Sequence, residues 1–167
     1  MKERERERER EALVGGVRSC IVGALLCFAI CAYGDEVDWV LKNSRLTRSQ
    51  AWLVVQCAHQ EAHPILILAI CKVESHFDPY AVSPTGAIGL GQIMPVWVPE
   101  LKQAGIIKTQ RDLFGIETNI QAVGYILRKL FATEPDLVRV LYRYYGARSK
   151  EYVWRVLLAI GEIVCAK

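Results

Sequence analysis

The sequence predicts a mainly α-helical protein, and three observations support this fold class. Apolar residues recur at helical spacing through most of the chain, for example at Ile120, Val123 and Leu127. Alternating apolar and polar runs, which would indicate strands, are few. The 167 residues are 52% hydrophobic and 23% charged, which is enough apolar surface to fill the core of one domain. We therefore expect one α domain, with room for a minor hairpin only within residues 76–92.

The first 34 residues differ in composition from the rest. Residues 2–11 alternate basic residues with glutamate, and residues 19–34 carry no charge. The uncharged run is shorter than the roughly 20 apolar residues of a spanning helix and fits the core of a signal peptide. Small residues at Ala32 and Gly34 suit a signal peptidase, so we expect residues 1–34 to be a cleaved signal peptide. An uncleaved membrane anchor is the alternative. Either one predicts export to the periplasm or cell envelope.

Two helices are predicted after this segment. Thr47 and Gln50 have the spacing of a capping box, which predicts a helix that continues to about Ala62. Pro64 suits the first turn of the next helix, because a missing N–H has no cost there. The residues that follow it, ILILAICKVES, are apolar nearly all round. They predict a buried helix that ends near Ser75.

Proline and glycine separate the helices of the second half. They recur too often between His76 and Gln92 for a regular element to form there. Thr118 and Gln121 have the spacing of a second capping box, which predicts a helix start at Thr118. The remaining helices are expected at residues 95–104, 135–145 and 151–165.

Glu74 lies at the end of the most apolar predicted helix. A carboxyl group in that position is partly withdrawn from water, which raises its pKa and keeps it protonated near neutral pH. A protonated carboxyl group suits general acid catalysis. Judged on composition alone, however, a solvated glutamate at a helix end is the more common case. The residues that follow Glu74 therefore decide between these interpretations.

Those residues form an ordered pattern, with Glu-Ser at 74–75, Asp-Pro at 78–79, Ser-Pro-Thr-Gly-Ala at 83–87 and Gly-Leu-Gly-Gln-Ile-Met-Pro at 89–95. The pattern and its spacing resemble the signature of the lytic transglycosylases of the soluble (SLT) type. So many ordered matches are far more specific than one short motif. The resemblance covers roughly residues 63–167, which we expect to form a lytic transglycosylase-like domain preceded by a helical flank at residues 35–62.

The resemblance implies a lysozyme-like helical fold that cleaves the β-1,4 bond between N-acetylmuramic acid and N-acetylglucosamine in peptidoglycan. Glu74 would protonate the glycosidic oxygen and then deprotonate the C6 hydroxyl of the muramoyl residue. That hydroxyl closes on C1 and leaves a 1,6-anhydro end. Most glycosidases need two carboxylates, whereas an internal nucleophile makes a single glutamate sufficient. No cofactor is implied.

Four more residues match the family's substrate-contacting or cleft-lining positions: Ser83, Gln92, Met94 and Tyr144. Each also has a purely structural alternative. Ser83 and Gln92 could serve loop hydrogen bonds, and Met94 and Tyr144 could pack in the core. Gly91 stands where the family that this sequence resembles commonly has methionine, and we expect this change to widen or loosen the floor of the cleft.

Two other functions stay open. A muramidase similar to goose-type lysozyme would hydrolyse the same bond with water and would need a second carboxylate. Asp78 and Asp112 are the candidates near the motif. A catalytically weak glycan-binding assembly protein is the other alternative, and the intact Glu74, Ser83 and Gln92 argue against it.

The expected partner is the peptidoglycan glycan strand, acted on by a monomer. By analogy with small members of the family, a secretion, conjugation or pilus apparatus is a further expected partner. The net charge of +3 is too small to indicate nucleic acid. His59 and His63 do not have the spacing of a zincin motif, so no metal site is expected.

Cysteine usage leaves the redox state open. After the predicted signal peptide, Cys57, Cys71 and Cys165 remain, an odd number for an oxidising compartment. One disulfide is compatible with this set. The alternative is that Cys57 and Cys71 are small buried apolar residues.

Overall fold

The structure is a computed structural model that describes residues 33–134 and 136–165. The predicted signal segment therefore lies outside the described residues, apart from Tyr33 and Gly34. By their contacts, the described residues from Asp35 onward form one compact unit. None of the helices in the described ranges combines the length and apolarity needed to cross a bilayer.

The described ranges contain seven α-helices and two short 3-10 helices, which confirms the mainly α fold class. The 3-10 helices are Pro95–Trp97 and Gln110–Phe114. The α-helices are α1 Gly34–Lys42, α2 Arg48–His59, α3 Pro64–Ser75, α4 Val98–Gln103, α5 Ile116–Thr133, α6 Leu137–Tyr145 and α7 Lys150–Cys165.

The first predicted helix start is confirmed in detail. The backbone N–H of Gln50 donates to the Thr47 hydroxyl at 3.3 Å, and the backbone N–H of Thr47 donates to the Gln50 side-chain carbonyl at 3.0 Å. This reciprocal pair is a capping box, so α2 begins where the sequence indicates. It ends at His59, three residues before the expected Ala62. Helix α3 has both expected ends, with Pro64 in its first turn.

The second predicted capping box is wrong. Helix α5 starts at Ile116, with Gly115 as its N-cap, so Thr118 already lies inside the helix. The physical reason is that the chain enters α5 directly from a 3-10 helix. Asp112 stabilises the start of that 3-10 helix by accepting from the backbone N–H groups of Lys108 and Thr109, at 2.7 and 2.9 Å.

The later helices follow the predictions closely. Residues 95–103 divide into a 3-10 turn and the short helix α4. Pro135, the expected start of the next helix, lies outside the described residues. Helix α6 begins at Leu137, where Asp136 accepts from the Val138 N–H at 2.8 Å. It ends at Tyr145, and Gly146 follows with a φ of +82°, as expected for a helix stop.

The hairpin allowed within residues 76–92 is reduced to isolated bridges. Val82 pairs with Ile88, and Ile88 pairs with Ile93, without a strand in the described part of the chain. The segment is instead a series of tight turns, as its prolines and glycines predict.

Helix α3 is the centre of the core. Residues 66–71 are all buried, and the helix contacts α2, α5 and α7. Complete burial of each isoleucine or leucine contributes about 1.5–3 kcal/mol, so this helix is held firmly on most of its circumference. Its last turn, which carries Glu74, therefore projects from a rigid support.

Candidate active site

Helix α3 ends in an unusual backbone turn directly after Glu74. His76 and Phe77 both have left-handed backbones, with φ values of 53° and 61°. Non-glycine residues adopt this conformation rarely and at a cost of about 1 kcal/mol or more. The turn places the Phe77 ring in the core, edge-on to Trp39 with 5.8 Å between ring centroids. Burial of this ring offsets the strain.

Ser75 connects the same helix end to the motif loop, which is the segment of residues 76–94 between α3 and the first 3-10 helix. Its hydroxyl donates to the Leu90 carbonyl at 2.7 Å and accepts from the Asp78 N–H at 3.1 Å. The residue after Glu74 therefore fixes both the turn that leaves the helix and the segment that returns past it. As a result, the backbone at Glu74 is held on both sides.

Glu74 is half-buried and has one close side-chain partner. The Tyr152 hydroxyl donates to Glu74 Oε1 at 2.7 Å. Tyr152 lies in the first turn of α7 and is itself buried. This contact joins the end of α3 to the start of α7, and it orients one edge of the carboxyl group.

Burial raises the pKa of Glu74 from its ordinary value of 4.5 to about 7. The cause is desolvation, which penalises the charged carboxylate. The hydrogen bond from Tyr152 and the positive charge of Arg155 oppose this rise. Arg155 is held nearby through a 3.2 Å hydrogen bond to the Val73 carbonyl. Glu74 can thus carry a proton near neutral pH, as its position on an apolar helix led us to expect.

Two tyrosines of α6 contact the surroundings of Glu74. The Tyr144 hydroxyl donates to the Gly91 carbonyl at 2.8 Å. Burial, and then the negative charge of Glu74, raise the pKa of Tyr144 well above its usual value. Tyr145 stacks on Tyr152 with 4.5 Å between ring centroids. Helix α6 thereby supports both Tyr152 and the motif loop.

Asn119 braces the motif loop from below. This buried side chain accepts from the Gly91 N–H at 2.9 Å and donates to the Ile88 and Leu113 carbonyls at 3.1 and 2.7 Å. It satisfies backbone groups that would otherwise be buried without partners. Asn119 lies on the buried face of α5, and the sequence alone does not indicate it as a site residue.

The expected effect of Gly91 is wrong. A Cβ atom at this position would lie 2.2 Å from Val123 Cγ2 and 3.0 Å from the Tyr144 hydroxyl. The space that a side chain would occupy is therefore already filled by α5 and α6. Gly91 permits close packing of the loop and does not widen the cleft floor.

Gln92 and Ser83 both brace the motif loop. The Gln92 side-chain nitrogen donates to the Ala81 and Gly89 carbonyls at 3.2 and 3.0 Å. The Ser83 hydroxyl accepts from the Ala87 N–H at 2.9 Å. Both side chains therefore make the loop hydrogen bonds that were the structural alternative to substrate contact.

Met94 lies outside the core. Its side chain is 38% exposed, and its sulfur lies 3.9 Å from the Thr85 hydroxyl. Core packing, which was the alternative role for Met94, is thus excluded.

Tyr152 and Arg155 are the functional candidates that sequence reasoning missed. A signal for Tyr152 was available in the helical spacing of Tyr152, Val156 and Ala159, which are all buried in α7. A tyrosine on such a face needs a hydrogen-bond partner for its hydroxyl. The sequence does not show that this partner is Glu74.

The other chemistry-bearing residues are engaged elsewhere. His59 Nε2 lies 2.6 Å from Glu36 Oε2, and the His63 ring packs against Phe131. Within residues 33–134 and 136–165, no three histidine, cysteine or acidic side chains form a group that could hold a metal ion. The carboxylates of Asp78 and Asp112 accept backbone N–H groups of their own turns.

The described cysteines are free. Cys57 and Cys71 are buried and Cys165 is exposed. Burial raises the pKa of both buried thiols. The structural alternative for Cys57 and Cys71, small buried apolar residues, matches their positions in α2 and α3.

Known proteins match both the sequence and the fold of this chain. The family model "Transglycosylase SLT domain" matches residues 55–155. Membrane-bound lytic murein transglycosylase F of Photobacterium profundum is 33% identical over 92 residues, which are 55% of this chain and 15% of that protein. The 70 kDa soluble lytic transglycosylase of Escherichia coli matches with a TM-score of 0.50 and 22% identity, over 67% of this chain and 20% of that one. The structural likeness confirms the lysozyme-like helical fold. The chain spans only a small part of the length of both relatives.

Proposed function

Because the chain belongs to the transglycosylase SLT domain family, we propose that it is a peptidoglycan lytic transglycosylase. In this proposal it cleaves the β-1,4 bond between N-acetylmuramic acid and N-acetylglucosamine and leaves a 1,6-anhydro end. The observation that carries the proposal is Glu74, a single carboxyl group with a pKa of about 7 at the start of the family motif.

Glu74 acts first as a general acid. Tyr152 donates to Oε1, so Oε2 is the oxygen that carries the transferable proton. Protonation of the glycosidic oxygen breaks its bond to C1 of the muramoyl residue and releases the neighbouring sugar. A group with a pKa near the working pH is the most effective acid for this step.

Glu74 then acts as a general base. It accepts the proton of the muramoyl C6 hydroxyl while O6 forms a bond to C1, so the ring closes and the acid is regenerated. No water is consumed. Between the two steps the carboxylate is stabilised by the Tyr152 hydrogen bond and the nearby Arg155 charge.

The loop after α3 supplies the proposed substrate contacts. Ser83, Gln92 and Met94 belong to this loop, and Tyr144 joins it from α6. The Gln92 nitrogen is occupied by loop carbonyls, so its side-chain oxygen is the atom offered to a sugar hydroxyl. Met94 is exposed beside the loop and offers an apolar contact to a sugar ring.

The substrate also sets the proposed location and partners. Peptidoglycan lies outside the cytoplasm, so the enzyme must be exported to the periplasm or cell envelope, as the N-terminal segment predicts. The relative from Photobacterium is named as membrane-bound. A monomer that opens the wall for a secretion, conjugation or pilus apparatus remains the expected biological setting.

Digestion of purified sacculi tests the reaction. Mass spectrometry should find 1,6-anhydromuropeptides with the wild-type chain, and Glu74→Gln should reduce their formation by at least about 100-fold. Glu151→Gln, at an exposed position of α7, is the matched control and should keep full activity. Products with reducing ends would instead indicate a muramidase. Binding of strands without any cleavage would indicate a glycan-binding protein.

A further inference from the structure

A cavity lies next to the C-terminal end of α3. It encloses about 720 Å³ between the end of α1, the loop before α2 and the turn that follows Glu74. Ser75 and His76 line one wall, so the cavity begins at the residue next to the proposed acid. Lys42 and Arg45 also line the cavity. Neither the reaction nor the loop contacts described above use this space.

The two cations of the cavity have no ion-pair partner. Among the described residues, no carboxylate oxygen lies within 4 Å of the Lys42 or Arg45 side-chain nitrogens. Arg48, only three residues further along, does pair with Asp38 at 2.9 Å. Lys42 and Arg45 therefore bring positive charge to a concave surface, although Lys42 also acts from a longer distance on Glu162 and lowers the pKa of that carboxyl group.

The loop that carries these cations is well ordered by its own hydrogen bonds. The Asn43 side chain donates to the Trp39 carbonyl at 2.8 Å, and the Leu46 N–H donates to the Ser44 hydroxyl at 3.2 Å. Such bonds hold the backbone between Lys42 and Arg45 in one conformation. A fixed backbone reduces the entropy lost when two cations bind a ligand together.

The residues that line the cavity also include an exposed aromatic ring and a carboxylate. Tyr80 is 73% exposed and stacks on Phe114, with 6.4 Å between ring centroids. Asp78 also lines the cavity, but its Oδ1 accepts from the Tyr80 N–H at 2.9 Å. Two cations therefore face one carboxylate that is already engaged by its own turn. The cavity suits an anionic ligand with apolar or sugar-like parts.

We propose that this cavity binds the carboxylate-bearing peptide that peptidoglycan carries on its muramoyl residues, with Lys42 and Arg45 paired to its carboxylates. The inference rests on the proposed function, since only a muramoyl residue bound next to Glu74 brings that peptide here. Residues 42–50 precede the part of the chain that matches the family model, residues 55–155. The two cations of this subsite thus lie in the flank, outside the part of the chain that matches the family model.

A comparison of two substrates tests the subsite during turnover. Glycan strands with their peptides and strands freed of peptides by an amidase are supplied to the same enzyme. The wild-type chain should prefer the peptide-bearing strands in kcat/KM. In the double variant Lys42→Gln/Arg45→Gln, the ratio of kcat/KM for peptide-bearing strands to kcat/KM for peptide-free strands should fall about tenfold. The control Lys102→Gln/Arg139→Gln removes one exposed lysine and one exposed arginine outside the cavity and should keep this ratio.

A direct titration keeps the inference testable without turnover. N-acetyl-L-Ala-D-Glu carries two carboxylates, and its bis-amide carries none. Calorimetry or NMR shifts at residues 42–46 should show binding of the acid, none of the bis-amide, and loss of binding in Lys42→Gln/Arg45→Gln. Equal binding of both compounds, or unchanged binding by the double variant, would overturn the subsite. If neither strand type is cleaved, the proposed function fails, and the titration alone decides on the cavity.

Discussion

The proton affinity of Glu74 results from opposing neighbours. Burial raises its pKa, while the Tyr152 hydroxyl and the Arg155 charge both favour the ionised form. A fully desolvated glutamate without these partners would hold its proton too tightly to act as a base in the second step. Tyr152 therefore acts as a positioning residue that also limits the rise in pKa.

Tyr152→Phe should move the pH profile upward. The variant loses the donor that stabilises the carboxylate, so the pKa of Glu74 rises further above 7. The alkaline limb of kcat/KM, where the acid loses its proton, should shift to higher pH by about one unit. The measurement is kcat/KM on sacculi from pH 5 to 9, with Tyr142→Phe as the matched tyrosine control. An unchanged alkaline limb with a lower rate would show that Tyr152 acts only through packing.

Glu74→Gln should stabilise the fold, but only at neutral and alkaline pH. The folded-state pKa, about 7, lies above the ordinary value of 4.5, so folding favours the protonated form. The stability that the raised pKa of Glu74 contributes is therefore fully present below pH 4.5 and is lost as pH rises through 7. Because glutamine resembles the protonated acid, the variant avoids this loss. Its free energy of unfolding at pH 8 should exceed that of the wild type by roughly 1–3 kcal/mol.

Urea denaturation at pH 4 and pH 8 checks the effect. The difference between Glu74→Gln and the wild type should be small at pH 4 and large at pH 8, whereas Glu151→Gln should show no such dependence. An equal difference at both pH values would mean that Glu74 is not desolvated in the folded state.

At the scale of single residues, the sequence indicates the raised pKa of Glu74, the proposed acid, but not its hydrogen-bond partner. The apolar residues before Glu74 are local, so their effect on its pKa follows from one helix. Tyr152 lies 78 positions away along the chain, and only packing of α3 on α7 brings the two together. Helical spacing predicts which side of α7 is buried. It does not predict which residue of α3 that side meets.

At the scale of elements, the motif loop depends on α5 and α6. Asn119 supplies three hydrogen bonds to backbone groups around the loop, and Val123 packs against Gly91 one turn later. Tyr144 adds a bond from α6. The loop is thus irregular in backbone but held as firmly as a helix, which suits the precise placement that catalysis requires.

Gly91→Ala should destabilise the fold by about 1–3 kcal/mol, because the new methyl group overlaps Val123 Cγ2. Val123→Ala alone should also be destabilising, because it leaves a cavity. In the double variant the methyl group occupies that space, so its destabilisation should be clearly less than the sum of the two. Urea denaturation of all four chains gives the coupling. Strict additivity would show that the two sites are not in contact.

Helix starts show why element boundaries are harder to predict than element types. The Thr47 and Thr118 patterns look alike in sequence, yet only Thr47 is an N-cap. The difference lies in the preceding backbone. Before Thr118, a 3-10 helix and Gly115 already direct the chain into α5 one turn earlier. Local spacing alone contains no information about that approach.

At the scale of the whole molecule, periodicity predicts the mainly α fold and most of the buried faces, including Ile120, Val123 and Leu127. Polar contacts between distant helices are not predictable in this way. Glu162 of α7 accepts from Trp39 of α1 at 3.2 Å and pairs with Lys72 of α3 at 2.5 Å. This cluster joins the flank at residues 35–62 to the core, and no sequence pattern indicates it.

Packing of the whole core predicts thiol reactivity. Cys71 is fully buried and Cys57 is 8% exposed, so both should react with iodoacetamide only after unfolding, whereas Cys165 should react at once. Mass spectrometry of peptides labelled with and without urea resolves each thiol in the full chain. Rapid native labelling of Cys71 would contradict the packing of α3 described above.

The hydrogen bond between Glu74 and Tyr152 also has a consequence in time. The two residues belong to helices that leave the ribosome far apart, and the carboxyl group is shielded only once α7 has docked on α3. Before that event Glu74 is an ordinary, ionised side chain and has no proton to give at neutral pH. A nascent or partly unfolded chain would therefore lack the proposed general acid, and the wall-cleaving activity that we propose would arise only after α7 has docked on α3.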